Sequence, residues 1–230
     1  ARVTDQIATC QRDDIRATLR GENLSSRRDF GRFEIALLDG ERNPEQMEPV
    51  LRLVRGARRS LVVQSAYVTF PVFGELAEAA GRGVAVTLVT PKHNNMRGMP
   101  SYQEWAAARA GVTVRFYNGR MSHIKAMLVD DEALVVGSSN FDYFSFHTYQ
   151  EVVAIVRDPA VIARYARDVL QPDLAQSVAP AGEYSHIPQA CRERAARLAG
   201  RATVQISQWL RGRRSARERR AQVTPAQAEP

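Results

Sequence analysis

A histidine, a lysine and an asparagine lie within eighteen residues of this chain, at a spacing that suits phosphate chemistry. The stretch is His123-x-Lys125, then Asp130 after four residues, then Gly137-Ser138-x-Asn140 after six more. Neutral imidazole can attack phosphorus and imidazolium can protonate a leaving alkoxide, while an ammonium and neutral donors hold the phosphoryl oxygens. These residue types therefore indicate phosphodiester chemistry.

The scarcity of lysine gives Lys125 extra weight in this pattern. Lys92 and Lys125 are the two lysines among 32 basic positions. With average residue usage, six fixed residues at fixed offsets arise by chance on the order of a few times per million chains of this length. The alternative is a histidine paired with a carboxylate in an ordinary sheet, and it does not require all six residues together.

Two strands joined by a turn are predicted to position these side chains. Residues 122–129 alternate like a half-buried strand, and 130–132 carry a turn signal. Because residues i and i+2 share a face of a strand, we expect His123 and Lys125 to project side by side. A short strand at 133–136 then brings to the same end of the sheet the residues Gly137, Ser138, Ser139 and Asn140.

The rest of the chain alternates between strands and helices, which predicts an α/β fold with a mixed sheet flanked by helices. Strands are predicted at 33–38, 60–67, 84–89, 112–117 and 149–156. Helices are predicted at 44–59, 72–81, 101–110 and 159–170. We expect residues 1–32 to be a linker or N-terminal extension, 33–172 the catalytic domain, and 173–230 a basic tail, helical and then disordered.

The positive charge of the chain is confined to its C-terminal part. The net charge is +7, yet residues 1–190 hold 22 basic and 22 acidic groups, and residues 191–230 hold ten arginines against three glutamates. A protein that tracks nucleic acid along its catalytic face would carry the excess there. Nucleic acid is therefore disfavoured as a partner.

The tail contains a pattern typical of a basic amphipathic helix over residues 187–210. Its apolar positions recur every three or four residues, at Cys191, Ala195, Leu198, Ala202, Ile206 and Trp209. An Arg-rich helix of this kind fits the surface of an anionic membrane. The alternative is a helix packed on the domain with a solvated end.

Several classes of protein are excluded by the sequence. It has no run of eighteen apolar residues and no signal-peptide pattern. Cys10 and Cys191 lie far apart, which indicates two unpaired thiols in a reducing compartment. No His/Cys/Asp cluster suggests a metal, so we expect neither a metal nor another cofactor.

The pattern H-x-K-x4-D-x6-G-S-x-N resembles the HKD motif of the phospholipase D superfamily. Other stretches look like the second half of bacterial cardiolipin synthases, over about residues 33–170. They are residues 53–61, Ala66-Tyr67, 79–86, 137–142, Ser145-Phe146 and Glu151. Two departures stand out: Pro71 falls one residue later after Tyr67 than in the synthase pattern, and this family builds one active site from two motifs, whereas the chain has one.

The resemblance implies a role for each residue of the motif. His123 forms a phosphohistidine or acts as the general acid, and Lys125 and Asn140 hold the phosphoryl charge. Glu151, at the offset where the family has a carboxylate, hydrogen-bonds the histidine. We include Asp130 among the catalytic residues, although its place at the strand end also fits bracing of the turn or of the lysine. We expect substrate contacts from Gly137, Ser138 and Ser139, and from Tyr67 unless it is simply a buried aromatic.

The single motif leaves two possibilities for the second histidine. Either two copies of the chain meet, or the chain is the C-terminal half of a longer two-motif enzyme; the synthase-like signature, the absence of an initial Met and the linker-like first 32 residues favour the half-enzyme. The resemblance implies a phospholipid phosphatidyltransferase or hydrolase, cardiolipin synthase-like, in the bacterial cytoplasm and peripheral at the inner membrane. The alternatives are a homodimeric nuclease of the same superfamily and an inactive scaffold that binds anionic lipid.

Overall fold

The computed structural model describes the backbone of residues 27–29 and the whole of residues 32–181. Within this part of the chain nine strands form one mixed sheet in the order β1-β2-β8-β7-β6-β3-β4-β5-β9. The strands are β1 Arg27–Asp29, β2 Phe33–Asp39, β3 Ser60–Ser65, β4 Ala85–Pro91, β5 Thr113–Tyr117, β6 Lys125–Val129, β7 Ala133–Gly137, β8 Gln150–Val156 and β9 Ser177–Val178. The predicted α/β class and mixed sheet are confirmed.

Helices occupy the connections between these strands. They are α1 Asn43–Gln46, α2 Glu48–Gly56, α3 Val72–Gly81, α4 Met99–Ala110, α5 Tyr143–His147, α6 Pro159–Tyr165 and α7 Gln171–Ala175, with a π-helical turn at Ala166–Leu170 between the last two. The β3–β4 and β4–β5 pairs are parallel, and the other pairs are antiparallel. The sheet thus combines a parallel α/β half with an antiparallel half.

The sheet is covered on both faces, and β6 shows how the sequence divides between them. Met127 and Val129 face a large core formed with helices α2 to α4, whereas Ala126 and Leu128 face a smaller core formed with α6. Side chains alternate along a strand, so Lys125 shares the face of Met127. The alternation predicted for this segment is therefore present from Lys125 onward.

Several boundaries differ from the predicted ones, three of them with a clear change in the element. The helix predicted at 44–59 is two helices, since Pro49 has no N–H to continue α1. The strand predicted from residue 122 begins at Lys125, because its partner β3 ends at Ser65 and leaves His123 nothing to pair with. The closing helix predicted at 159–170 contains the π-helical turn and continues to Ala175.

The sheet also takes in residues outside the predicted range of 33–172. Strand β1 pairs with β2, and β9 pairs with β5. The predicted basic amphipathic helix and the disordered end lie outside the described residues, as does most of the predicted linker.

Candidate active site

Four strands bring the predicted site residues other than Asp130 to one edge of the sheet. Lys125 opens β6 opposite Ser65, the last residue of β3. Three residues beyond the end of β3, a parallel bridge joins Val68 to Phe141, so Tyr67 lies beside Asn140. At the same edge β7 ends at Gly137, and β8 carries Glu151 near its start. Residues 84 positions apart in sequence thus meet in one place.

His123 is exposed and precedes β6 rather than belonging to it. The Tyr67 ring meets the imidazole edge-on, with ring centroids 6.1 Å apart and an interplanar angle of 83°. Among the residues that the structure describes, none hydrogen-bonds the imidazole. The prediction that His123 and Lys125 lie on one strand is wrong for His123, since β3 ends at Ser65 and β6 begins at Lys125.

Lys125 is half-buried, and its ammonium group reaches back toward His123. Nζ donates a hydrogen bond to the His123 carbonyl oxygen at 3.0 Å, which uses one of three N–H donors. Burial lowers the pKa of Lys125, and the charges of Glu151 and Asp142 oppose that shift. The lysine therefore has carboxylates close enough to act on it electrostatically and donors left for an anion.

Glu151 is held by two serine hydroxyls. Ser138 Oγ donates to Oε2, and Ser145 Oγ lies 3.4 Å from Oε1. The resemblance implied that Glu151 hydrogen-bonds His123. In the described residues the carboxylate instead accepts from the serines, because His123 lies outside the strand that would have brought it closer.

Ser138 and Gly137 both contact strand β8 where it pairs with β7. The Ser138 hydroxyl accepts from Val152 N at 3.0 Å while it donates to Glu151, so it orients the carboxylate. A Cβ built on Gly137 would lie 2.1 Å from the Val152 carbonyl oxygen. Glycine is therefore required here by the close approach of β8. Both residues were expected to contact substrate, and these contacts give each a structural role.

Ser139 and Asn140 differ in exposure. Ser139 is buried, 2% exposed, and its hydroxyl donates to the Asn140 carbonyl at 3.1 Å. The Asn140 side chain is half-buried, and its Oδ1 is buried without a hydrogen-bond partner among the described residues. A buried amide oxygen without a partner is uncommon in folded proteins. It marks Asn140 as a side chain that the fold itself does not satisfy.

Asp130 lies at the other end of β6, away from the site. Its carboxylate accepts from the backbone N–H groups of Arg58, Arg59 and Ser60 at 2.8–2.9 Å. Burial would raise the pKa of Asp130, but these donors and the Arg59 charge outweigh it and hold the pKa below its usual range. Its predicted catalytic role is not supported by these contacts, because Asp130 follows the end of β6 remote from Lys125. The carboxylate does not brace the lysine either, but ties the end of β6 to residues 58–60.

Tyr67 is 8% exposed and links the site to the loop after β4. Its hydroxyl donates to Asn95 Oδ1, and Asn94 Nδ2 donates to the Ala66 carbonyl at 2.9 Å. Gln103 reaches the same carbonyl from α4 at 3.4 Å. Hydrogen bonds to the Tyr67 hydroxyl and to the neighbouring Ala66 carbonyl therefore hold the aromatic ring beside His123 in place.

Two further residues support the site: Asp142, which belongs to a synthase-like stretch but had no predicted role, and Asn43, which was not singled out from the sequence. Asp142 caps α5 by accepting from Ser145 N at 2.8 Å. Asn43, fully buried, donates from Nδ2 to the carbonyls of Ser145 at 2.8 Å and Tyr149 at 2.7 Å. A short D-x-x-S cap was visible in the sequence, but nothing local marks Asn43, which acts over more than 100 residues.

The family model described as "Cardiolipin synthase, PLD-like domain" matches residues 50–171, just over half of the chain. The chain belongs to this family. Its placement in the phospholipase D superfamily, most like cardiolipin synthases, is thus confirmed. The matched range contains every predicted site residue.

Curated relatives that match the chain are also cardiolipin synthases, but the match covers only a part of each relative. Cardiolipin synthase A of Pseudomonas entomophila is 31% identical over 149 residues, which are 62% of this chain and 31% of that protein. Cardiolipin synthase 1 of Staphylococcus epidermidis is 29% identical over 135 residues, 55% of this chain and 26% of that protein. The chain spans about a third or less of the length of the curated relatives it matches.

Solved structures share the fold of the chain. Nuc of Salmonella typhimurium, a phospholipase D family member, matches with a TM-score of 0.56 and 20% identity over 64% of this chain and 97% of that one. The phosphatidylserine synthase of Haemophilus influenzae matches with a TM-score of 0.55 and 14% identity over 80% and 49%. At these identities the likeness shows the fold alone.

No three His, Cys, Asp or Glu side chains in residues 32–181 cluster as a metal site would require. No helix in the same part of the chain combines the length and the apolar character needed to cross a bilayer.

Proposed function

We propose that the chain carries one half-site of a phospholipase D-type enzyme that transfers or hydrolyses phosphatidyl groups, as a cardiolipin synthase does. The observation that carries the proposal is the meeting of His123, Lys125 and Asn140 at one edge of the sheet within a domain of that family. Each supplies a function that phosphodiester displacement needs: a nucleophile or acid, a positive charge, and an amide donor.

The reaction proceeds by two displacements at phosphorus. The Nε2 or Nδ1 lone pair of one histidine attacks the phosphatidyl phosphorus, the bond to the leaving alcohol breaks, and a second histidine gives that alcohol its proton. A lipid hydroxyl or water then attacks the phosphohistidine, loses its proton to the second histidine, and frees the first. The free donors of Lys125 and the Asn140 amide hold the non-bridging oxygens throughout.

The second histidine comes from outside the described site. Two sources are compatible with the proposal: a second copy of the chain or the first half of a longer protein. The relatives' length supports the second source, since the match spans about a third of each. In that arrangement His123 is the general acid. The exposure of His123 supports either source, because a partner domain can reach it.

A homodimeric nuclease is the second candidate. The observation in its favour is that the fold likeness spans nearly all of Nuc, 97% of that chain. The balanced charge of residues 1–190 favours the lipid substrate, since phosphate-rich polymers are bound by an excess of basic groups. The tail, with its ten arginines, would be the nucleic-acid contact in the nuclease reading.

Turnover of phosphatidylglycerol vesicles tests the proposal directly. The chain is incubated with vesicles, and products are identified by mass, with His123→Ala in parallel and His93→Ala as a matched control on an exposed histidine. If two copies of the chain pair, we expect cardiolipin or phosphatidic acid, lost in His123→Ala and kept in His93→Ala. If the second histidine lies in the first half of a longer protein, the chain alone should be inactive and the longer protein should give these products. Light scattering on the active sample decides the source of the second histidine, because activity from a strict monomer would contradict both sources.

The same preparation tests the rival. Single-stranded and double-stranded DNA are offered under identical conditions without metal. Cleavage of DNA that requires His123, with no lipid product, would replace the lipid proposal with the nuclease. Lipid turnover that survives His123→Ala would remove His123 from the mechanism.

A further inference from the structure

Two carboxylates of the site share one buried serine. Asp142 Oδ1 accepts from Ser145 N at 2.8 Å, and the Ser145 hydroxyl lies 3.4 Å from Glu151 Oε1. Ser145 is 0% exposed, so its hydroxyl is shielded from bulk water. Ser145 therefore contacts both acids, Asp142 through its backbone N–H and Glu151 through its hydroxyl.

Capping the N-terminus of α5 does not by itself require a carboxylate at position 142. Helix α5 has five residues, and an asparagine or serine would cap it equally well. Burial raises the pKa of Asp142, the hydrogen bonds from Ser145 and Phe144 lower it, and the Glu151 charge raises it again. A buried acid beside a second acid is unfavourable unless a cation compensates.

Lys125 is that cation. The charges of Glu151 and Asp142 act on its half-buried ammonium and favour the protonated form. None of the ion pairs among the described residues joins Lys125 to either acid. Ser138 and Ser145 hold the two oxygens of Glu151. The carboxylate therefore stays in place instead of closing onto the lysine, and the ammonium remains available to an anion.

We propose that Asp142 is a positioning residue, which orients Glu151 through Ser145 and, with Glu151, supplies the counter-charge of Lys125. The part that concerns orientation of a working site rests on the proposed function. The part that concerns charge does not, because it can be measured without substrate.

The two lysines of the chain make the charge measurable. Protein with ¹³C-labelled lysine gives two side-chain signals, and Lys92→Arg assigns them. The Lys125 signal is titrated with pH in the wild type, in Asp142→Asn and in Asp158→Asn. Asn keeps the cap and removes the charge. Asp158 is the matched control, since it caps α6 by accepting from Ala160 N at 2.9 Å and does not act on Lys125.

We expect Asp142→Asn to lower the pKa of Lys125, because burial continues to favour the neutral amine and one opposing charge is gone. Asp158→Asn should leave the titration unchanged. A Lys125 titration in Asp142→Asn that matches the wild type would overturn the counter-charge role. Cooperative thermal unfolding of each variant confirms that it is folded during the titration.

A double-mutant cycle tests the orienting role through turnover of phosphatidylglycerol. Ser145→Ala should lower kcat by about tenfold or more with little change in KM, since it misplaces Glu151 without touching substrate. Ser145→Ala added to Glu151→Gln should then cost nothing further, because the two act as one unit. Fully additive losses would overturn the relay. Absence of turnover in both the chain and the longer two-motif protein would count against the proposed function, and the lysine titration would still decide the counter-charge.

Discussion

Lys125 and Asp130 lie at opposite ends of β6, about 16 Å apart along an extended strand. The lysine faces His123, while the aspartate ties the strand to the loop between α2 and β3 through three backbone N–H groups. One motif thus serves two purposes, since its first part supplies the chemistry and its aspartate fixes the strand that carries it.

Asp130→Asn is expected to destabilise the fold by about 1–3 kcal/mol, because an amide cannot accept all three N–H donors. Asp130 has φ +53°, which asparagine tolerates, so the variant removes the charge without straining the backbone. Urea unfolding measures the loss. Asp131→Asn, also at positive φ and exposed, is the matched control and should change the free energy of unfolding little. Equal effects of the two substitutions would contradict the bracing role.

The hydrogen bonds of Asp130 should also make the free energy of unfolding depend on pH in the acid range. The folded pKa of Asp130 is below its ordinary value of 3.8, so its contribution is present above that pH and is lost as pH falls through the folded pKa. The difference in free energy of unfolding between wild type and Asp130→Asn should therefore be constant near neutrality and shrink below about pH 4. A difference that grows on acidification would have the wrong sign.

Gly137→Ala is expected to destabilise by about 3 kcal/mol or more, since the new Cβ would lie 2.1 Å from the Val152 carbonyl oxygen, an atom held in the sheet. Thermal unfolding measures the effect. Gly74→Ala is the matched control: it lies within α3 with nothing within 4 Å of the new methyl, and it should stabilise by about 0.5–1 kcal/mol. Equal stability of wild type and Gly137→Ala would refute the close approach.

How far the sequence could predict this site depends on the range of the contacts. The order of strands and helices followed from local periodicity, and the family resemblance selected His123, Lys125 and Asn140. The place where β6 begins could not be predicted, because it depends on where β3 ends, some 60 residues earlier. The role of Asn43 was missed for the same reason, since its partners lie more than 100 residues away. The serine partners of Glu151 are near in sequence, but the resemblance pointed to His123 as the partner instead.

Asn43→Asp tests whether the Asn43 amide stabilises the segment of Ser145 and Tyr149, more than 100 residues away in sequence. The substitution keeps an oxygen for Gly40 N, which now lies 2.7 Å from Asn43 Oδ1, and removes the Nδ2 donor to Ser145 and Tyr149. It also buries a charge, so the expected loss of stability is about 3 kcal/mol. Asn118→Asp, at an exposed position, is the control. If the buried amide is not needed, the two variants will unfold at the same urea concentration.

Ser138→Ala separates orientation of Glu151 from contact with substrate. The hydroxyl accepts from Val152 N and donates to Glu151, so its loss frees one oxygen of the carboxylate while leaving the strands paired through Ser138 N and Val152 O at 3.0 Å. We expect kcat for lipid turnover to fall by about 10- to 100-fold, with KM nearly unchanged. Ser139→Ala, which removes only a bond to the Asn140 carbonyl, is the matched control. A rise in KM with kcat intact would instead assign Ser138 to substrate binding, as the sequence first suggested.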